Sequence, residues 1–434
     1  MVDHKNNEKA SIDLDMEHQH RESRKNIGFG GTMWLAFQSI GVIYGDIGTS
    51  PLYVYTGIFP DPTKPPSAED TLGALSLIIW SLTIVPLLKY VFIILRADDH
   101  GEGGTFALYS LLSRYSGLSI RGENRIDDLT ITNYDAISVQ SATKEQPNFI
   151  KRSRLLQRIL IVVVLFGTSL VISDGLLTPA ISVISAVEGI AIPAPVKRCN
   201  TLPQNISRNS AILIVLFLGQ RLGTQRVGVL FAPIVSLWFI SLASIGIWNI
   251  SKYPSVLKAY NPYYAIDYFI RNGSDSFQVL GGVLLAITGV EAMFADLGHF
   301  NRTAIQISFP CFTYPPLILA YCGQAARLTL DPTIISNTFW NSLPDINGPT
   351  YWISFVLATL ATIIASQAMI SATFSLLHQA MQLDCFPRVK VIHTSEKVAG
   401  QIYVPEINYL LMIGIVLVVI VAQTAANLTI AYGE

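Results

Sequence analysis

The chain has 434 residues, of which 51% are hydrophobic and only 14% charged, with a formal net charge of −1. Soluble domains carry about 25% charged residues, so the soluble-enzyme classes are mostly excluded, and the near-neutral balance does not suggest a nucleic-acid partner. The four cysteines (Cys199, Cys311, Cys322 and Cys385) show no metal-ligand spacing and no paired framework.

Residues 1–29 are polar and poor in aromatics, and they read as a disordered tail without a cleavable signal peptide. About 20 apolar residues span the hydrocarbon core of a bilayer. Such segments follow at 30–59, 71–95, 156–190, 209–219, 227–248, 277–300, 304–326, 351–377 and 406–426, and a tenth begins near Asn427. The stretches 227–248, 351–377 and 407–430 hold no charge at all. The expected fold class is an all-α polytopic membrane helix bundle, with a transmembrane domain over 30–434.

The tail carries Lys5, Lys9, Arg21, Arg24 and Lys25, the 60–70 loop only Lys64, and the stretch 96–158 nine Lys or Arg. By the positive-inside rule the N-terminus and the loop 96–155 are cytoplasmic. The sequons at Asn205 and Asn272 then fall in outer loops and are expected to be glycosylated. Asn301 falls inside and is expected to be silent, and Asn427 lies too close to the membrane to be used.

The first segment is not a plain helix. It reads Gly41-Val-Ile-Tyr-Gly-Asp-Ile-Gly-Thr-Ser-Pro-Leu-Tyr53, with three glycines and a proline around Asp46. Glycine and proline weaken a helix interior, and broken backbone at membrane depth survives only where protein buries it or it lines a wet cavity. The 277–300 segment repeats the theme, with Gly281-Gly282, then Thr288-Gly-Val-Glu291, then Asp296 and Gly298. Two glycine-interrupted, acid-bearing segments five apart are what an inverted repeat of five plus five helices gives, with its site at the midplane.

A charge at the bilayer centre costs about 2.5–3.5 kcal/mol on insertion scales. Asp46, Asp174, Glu188, Glu291 and Asp296 nevertheless sit in apolar segments with little base to pair with them, Lys89 being near a cytoplasmic end where it can snorkel. Asp46, Asp174 and Glu291 lie deep or beside breaks and point to function. Glu188 and Asp296 read more simply as residues near segment ends. Acids without bases imply a cation. Potassium and sodium prefer oxygen, which freed carbonyls, hydroxyls and carboxylates supply. Tyr44, Thr49, Ser50, Tyr53, Thr178 and Thr288 lie near the acids in sequence, although each hydroxyl taken singly is equally an ordinary packing residue. Thr288 and Glu291, three apart, can share one helix face.

The stretch Ala97-Asp-Asp-His-Gly-Glu-Gly-Gly-Thr105 lacks the Lys-Ser/Thr and the preceding strand of a P-loop, so nucleotide binding is rejected. A re-entrant turn or a short amphipathic helix at an inner gate is expected instead. His100 and His299 are read as polar surface residues. No cofactor is expected, and without a nucleophile–base pair or a metal cluster neither is an enzyme.

Taken together, the motifs resemble the potassium uptake permease family, the KUP/HAK/KT transporters. The resemblance rests on Gly41–Tyr53, Asp98–Tyr109, Asp174–Val183, Gln220–Thr224, Ile287–Phe300, Ser366–Ser375 and Cys385–Lys390, in collinear order over roughly 27–434. It implies potassium uptake, generally proton-coupled, on a leucine-transporter-like fold in the plasma membrane, and it leaves a homodimer open. By motif it implies a potassium site of Asp46, Tyr53, Asp174, Thr178, Thr288, Glu291 and Tyr432, with Glu291 and Asp174 coupling protons.

The 191–208 loop is unusual for the family. Its members continue through further helices and a cytoplasmic domain, whereas this chain stops at Glu434, so a truncated product is expected. Two alternatives stand beside transport. One is a non-transporting relative that assembles with or regulates a full-length protein. The other is an amino-acid carrier of the same fold, which Asp46 opposes because a substrate carboxylate needs a free helix N-terminus there.

Overall fold

A chain in hydrocarbon must satisfy its backbone hydrogen bonds within itself, and helices do so. The computed structural model describes residues 28–98, 103–116, 154–193, 202–220, 225–273, 275–298, 300–382, 386–387, 389–393 and 402–433. The expectations for the tail before residue 28, most of the loop 96–155, His100, His299, Cys199 and Cys385 lie outside these residues. Within them, six helices are long and apolar enough to cross a membrane, and two shorter apolar helices accompany them.

The first segment is broken twice. Helix α1 (Phe29–Ile43) ends at Tyr44, α2 (Gly45–Thr49) runs into a 3₁₀ turn at Ser50–Leu52, and α3 (Val54–Ile58) follows Tyr53. The second segment starts earlier than expected, at α4 (Ala68–Leu82), because Ser67 caps it and accepts the Asp70 N–H at 3.0 Å. It continues as a π-helical stretch, Thr83–Ile93, around Pro86, whose missing N–H cannot serve an α-helical ladder. The short helix α5 (Thr105–Ser116) buries Phe106, Ala107 and Tyr109, so part of the expected loop is packed structure.

The third to fifth segments are α6 (Arg154–Glu188), α7 (Leu202–Gly219) and α8 (Gln225–Lys252). Helix α7 corrects the short segment expected at 209–219: it begins in the supposed outer loop and takes in Asn205. The connector α9 (Tyr263–Asn272) leads to the sixth segment, in which α10 (Asp275–Leu284), a 3₁₀ turn at Leu285–Ile287 and α11 (Val290–Ala295) are interrupted at Thr288 and Gly289. The seventh comprises α12 (Arg302–Ser308), a π-helical stretch at Phe309–Thr313 and α13 (Tyr314–Leu330). After α14 (Thr338–Asn341) come α15 (Pro349–Gln382), α16 (Pro405–Ala422) and α17 (Ala425–Gly433). The all-helical expectation needs one small amendment, an antiparallel ladder pairing β1 (Ile392–His393) with β2 (Ile402–Tyr403).

Helices α8 and α13 cross at two glycines. A Cβ on Gly246 would lie 2.3 Å from the Leu319 carbonyl oxygen, so only glycine lets these backbones touch. Helix α8 also lies along α1, α15 packs on α6 and α2, and α17 packs on α10, α3 and α6. The core between them holds fully buried Tyr44, Tyr53, Tyr321, Trp238 and Trp340. The outer faces are apolar as well. Val162, Val163, Phe166 and Leu170 on α6, and Leu410, Ile413, Leu417 and Val421 on α16, are exposed; contiguous apolar faces of this kind mark surfaces that meet something other than water.

Candidate cation site

Asp46 is the second residue of α2, and its side chain is buried with neither carboxylate oxygen hydrogen-bonded among the described residues. Its own carbonyl accepts from Thr49 Oγ1 at 3.0 Å and Ser50 Oγ at 3.3 Å. Opposite lies Gly289, at φ 79°, where a Cβ would stand 2.6 Å from Asp46 Oδ2. The two helix breaks therefore face each other with a carboxylate between them. They are also joined directly, Ser50 Oγ to Thr288 Oγ1 at 3.1 Å. The buried Tyr53 hydroxyl stands 3.4 Å from Ser50 Oγ.

Helix α6 supplies the second carboxylate. Asp174 Oδ1 accepts from Thr178, one turn on, and from the Tyr432 hydroxyl of α17 at 2.8 Å. Ser182, also on α6, meets Thr49 at 3.4 Å and ties this helix to the first break. Among the described residues neither carboxylate has a basic partner; Arg271 pairs with Glu69, Asp70 and Asp267, and Arg327 with Asp331, at segment ends. Desolvation works against the Arg271 charge, but the hydrogen bonds and charges of Asp267 and Asp70 together hold its pKa above the ordinary value. No cluster of three metal-ligating side chains occurs among the described residues.

Six of the seven residues expected at the site are thus brought together: Asp46, Tyr53 and Thr288 around the breaks, and Asp174, Thr178 and Tyr432 beside them. Glu291 is directed elsewhere. Its carboxylate accepts from Tyr90 of the π-helical stretch at 2.9 Å and from Thr105 at the start of α5. The expectation that Thr288 and Glu291 share one helix face fails, because Thr288 is extended at ψ 154° and Gly289 is left-handed, so the helix restarts between them. The glycine-rich turn before α5 packs on the same half of the sixth segment: a Cβ on Gly103 would strike the Phe294 carbonyl oxygen, and Gln379 of α15 donates to the Gly103 carbonyl at 3.1 Å.

Not all the freed carbonyls are open to an ion. Trp238 Nε1 of α8 donates to the Gly48 carbonyl at 2.8 Å, and Gln324 Nε2 of α13 donates to the Pro51 carbonyl at 2.9 Å. Both residues escaped the sequence reading. Their signal was an indole N–H and an amide in apolar helices, groups that must find a partner when buried. The sequon at Asn205 sits in a helix rather than a loop, while that at Asn272 keeps its place in the connector before the sixth segment. Asn205 lies in the first turn of α7, and Asn272, the last residue of α9, donates to Asp70 Oδ1 at 3.3 Å.

A buried acid between two facing helix breaks, within a bundle of apolar helices, defines a polytopic integral membrane protein. The chain belongs to the KUP/HAK/KT potassium transporter family: the profile of the K+ potassium transporter integral membrane domain matches residues 33–434. It is 51% identical over 431 residues to potassium transporter 5 of Manihot esculenta, an alignment covering 98% of this chain and 52% of that protein. To potassium transporter 5 of Arabidopsis thaliana it is 51% identical (93% and 50% covered), and to potassium transporter 20 of Oryza sativa subsp. japonica 48% (93% and 53% covered). The chain therefore spans about half the length of the curated relatives it matches. These relatives are named as transporters, not enzymes. No solved structure matches the chain.

Proposed function

We propose that this chain moves potassium ions across a membrane, holding the ion between the breaks of the first and sixth segments. Asp46 and Asp174 supply the charge, and the oxygens of Tyr53, Thr288, Thr178 and Tyr432 complete the shell. The observation that carries this reading is Asp46, a buried carboxylate with no hydrogen-bond partner and no base among the described residues. A buried, uncompensated charge costs several kcal/mol, and a dehydrated potassium ion is the compensation that suits an oxygen-lined site. Proton coupling is assigned to Glu291 and Asp174, each a carboxylate held by hydroxyl donors.

An inverted repeat of five plus five segments accounts for the packing. First and sixth are both broken, and second and seventh both carry a π-helical stretch at a proline, Pro86 and Pro310. The fifth (α8) packs on the first, as the tenth (α17) packs on the sixth, while second–seventh, third–eighth and fourth–ninth pair with each other. Each of these contacts maps onto itself or onto another when the halves are exchanged. With the N-terminus and the loop 96–155 cytoplasmic, Asn205 and Asn272 face outward and take glycans, and the apolar outer faces meet the lipid of the plasma membrane. Tail 1–29 precedes a transport domain over 30–434.

The test is rubidium uptake and growth on micromolar potassium in a host stripped of its own uptake systems. Asp46→Asn is expected to abolish both while the protein still reaches the membrane. Unchanged uptake at low external rubidium would remove Asp46 from the site.

A further inference from the structure

We infer that Glu188 is a positioning residue of the cation site, seating the helix that brings Tyr432 to Asp174. The inference rests on the reading of Asp174 and Tyr432 as site residues. Glu188 is the last residue of α6, and its Oε1 accepts the N–H of Ala425, the first residue of α17, at 2.9 Å. A helix start leaves its first N–H groups without partners inside the helix, and a carboxylate there also meets the positive end of the helix dipole. This acid therefore has a compensating partner that Asp46 lacks, and it does not call for a cation.

The chain reaches α17 through a sharp turn. Gln423 has φ 64°, in the left-handed region that non-glycine residues avoid, and it is the one such residue among those described. A conformation of that kind persists only where the surroundings hold it. Here the Thr424 N–H and the Asn427 side chain both donate to the Ala422 carbonyl, at 2.7 and 2.9 Å, and Glu188 holds the residue that follows. At the other end of α17, Tyr432 donates to Asp174, which lies earlier on the same α6. Helix α17 is thus pinned to α6 at both ends, antiparallel to it, and lies against α3, which follows the break of the first segment, and α10, which precedes that of the sixth. Removing the Glu188 acceptor frees the start of α17 and relaxes the turn, and the phenol at its far end loses its fixed reach to Asp174.

The test measures hydrogen exchange over 425–433 and radioactive rubidium binding, both on the full chain in detergent. Glu188→Gln keeps an acceptor oxygen and is expected to match the parent in both. Glu188→Ala is expected to speed exchange at the start of α17 and to weaken rubidium binding about tenfold. In a Tyr432→Phe background it should cause no further loss, the double variant binding no more weakly than Tyr432→Phe alone, since Glu188 acts through that contact. Parent-like exchange over 425–433 in Glu188→Ala overturns the inference, as do losses of rubidium binding that add in full or a Glu188→Gln variant as defective as Glu188→Ala. Asp46→Asn separates the two readings: if it binds rubidium like the parent, the cation site is wrong, while exchange in α17 still decides whether Glu188 seats the helix.

Discussion

Ser50 and Thr288 meet hydroxyl to hydroxyl at 3.1 Å, fastening the broken backbone of the first segment to that of the sixth. Each hydroxyl has one proton and a second acceptor in reach: the Asp46 carbonyl at 3.3 Å for Ser50 and the Leu285 carbonyl at 3.1 Å for Thr288. The bond across the breaks therefore competes with bonds inside each segment. Small rearrangements can exchange one for the other at little cost, since a hydrogen bond is worth only about 1 kcal/mol net.

Thr288→Val keeps the shape of the side chain and removes the joining hydroxyl. Ser50 then turns to the Asp46 carbonyl, and the breaks lose their direct tie. The Rb+ KM is expected to rise roughly fivefold, the equivalent of about 1 kcal/mol, with the amount of protein at the membrane unchanged. Uptake kinetics on surface-matched cells check this, and a parent-like KM would mean that the tie is not used.

Gly289→Ala meets two obstacles. The residue has φ 79°, which costs a side chain about 1–2 kcal/mol, and the new methyl would stand 2.6 Å from Asp46 Oδ2 and 3.0 Å from Asp46 Cβ. Either the sixth segment shifts or Asp46 does. Uptake is expected to fall at least tenfold even where the protein folds, and the apparent Tm in detergent should drop. An active, parent-stable Gly289→Ala protein would contradict the close approach of the breaks.

Trp238→Phe keeps a buried ring but leaves the Gly48 carbonyl without its 2.8 Å donor. Gln324→Leu does the same to Pro51. Each loss is expected to destabilise the protein by about 1–3 kcal/mol, the desolvation penalty of an unsatisfied buried acceptor. Thermal unfolding in detergent reads it. Since Trp238 is fully buried behind the break and does not touch the carboxylates through any hydrogen bond, stability is expected to fall more than rubidium affinity.

Glu291→Gln removes a charge that accepts from both Tyr90 and Thr105. If this carboxylate carries the coupled proton, the variant arrests or uncouples transport, and whatever uptake remains no longer varies with external pH. Rubidium uptake measured across external pH checks it. Parent-like pH dependence would transfer the coupling role to Asp174.

Some of this was legible in the sequence because its cause is local. An apolar run satisfies its own backbone as a helix whatever its neighbours do, so the segments and their order could be read directly, with errors at boundaries such as the start of α7. The helix interruptions were legible for the same reason. Glycines and a proline around Asp46, and the glycine after Thr288, act on their own backbone. Acids in apolar segments announced themselves by the cost of burying them.

Tertiary structure alone decided the partners. That Trp238 and Gln324 cap the carbonyls of the first break, that Glu291 bonds Tyr90 and Thr105 rather than the break beside it, and that Glu188 holds a helix far along the chain all depend on how each helix is rotated and shifted against its neighbours. Rotation and shift are set by packing across the whole bundle, where glycines such as Gly246 and Gly323 let backbones meet. A sequence pattern shows which residues need a partner. It does not show which partner comes within 3 Å, because that distance is fixed by contacts between segments that no local pattern contains.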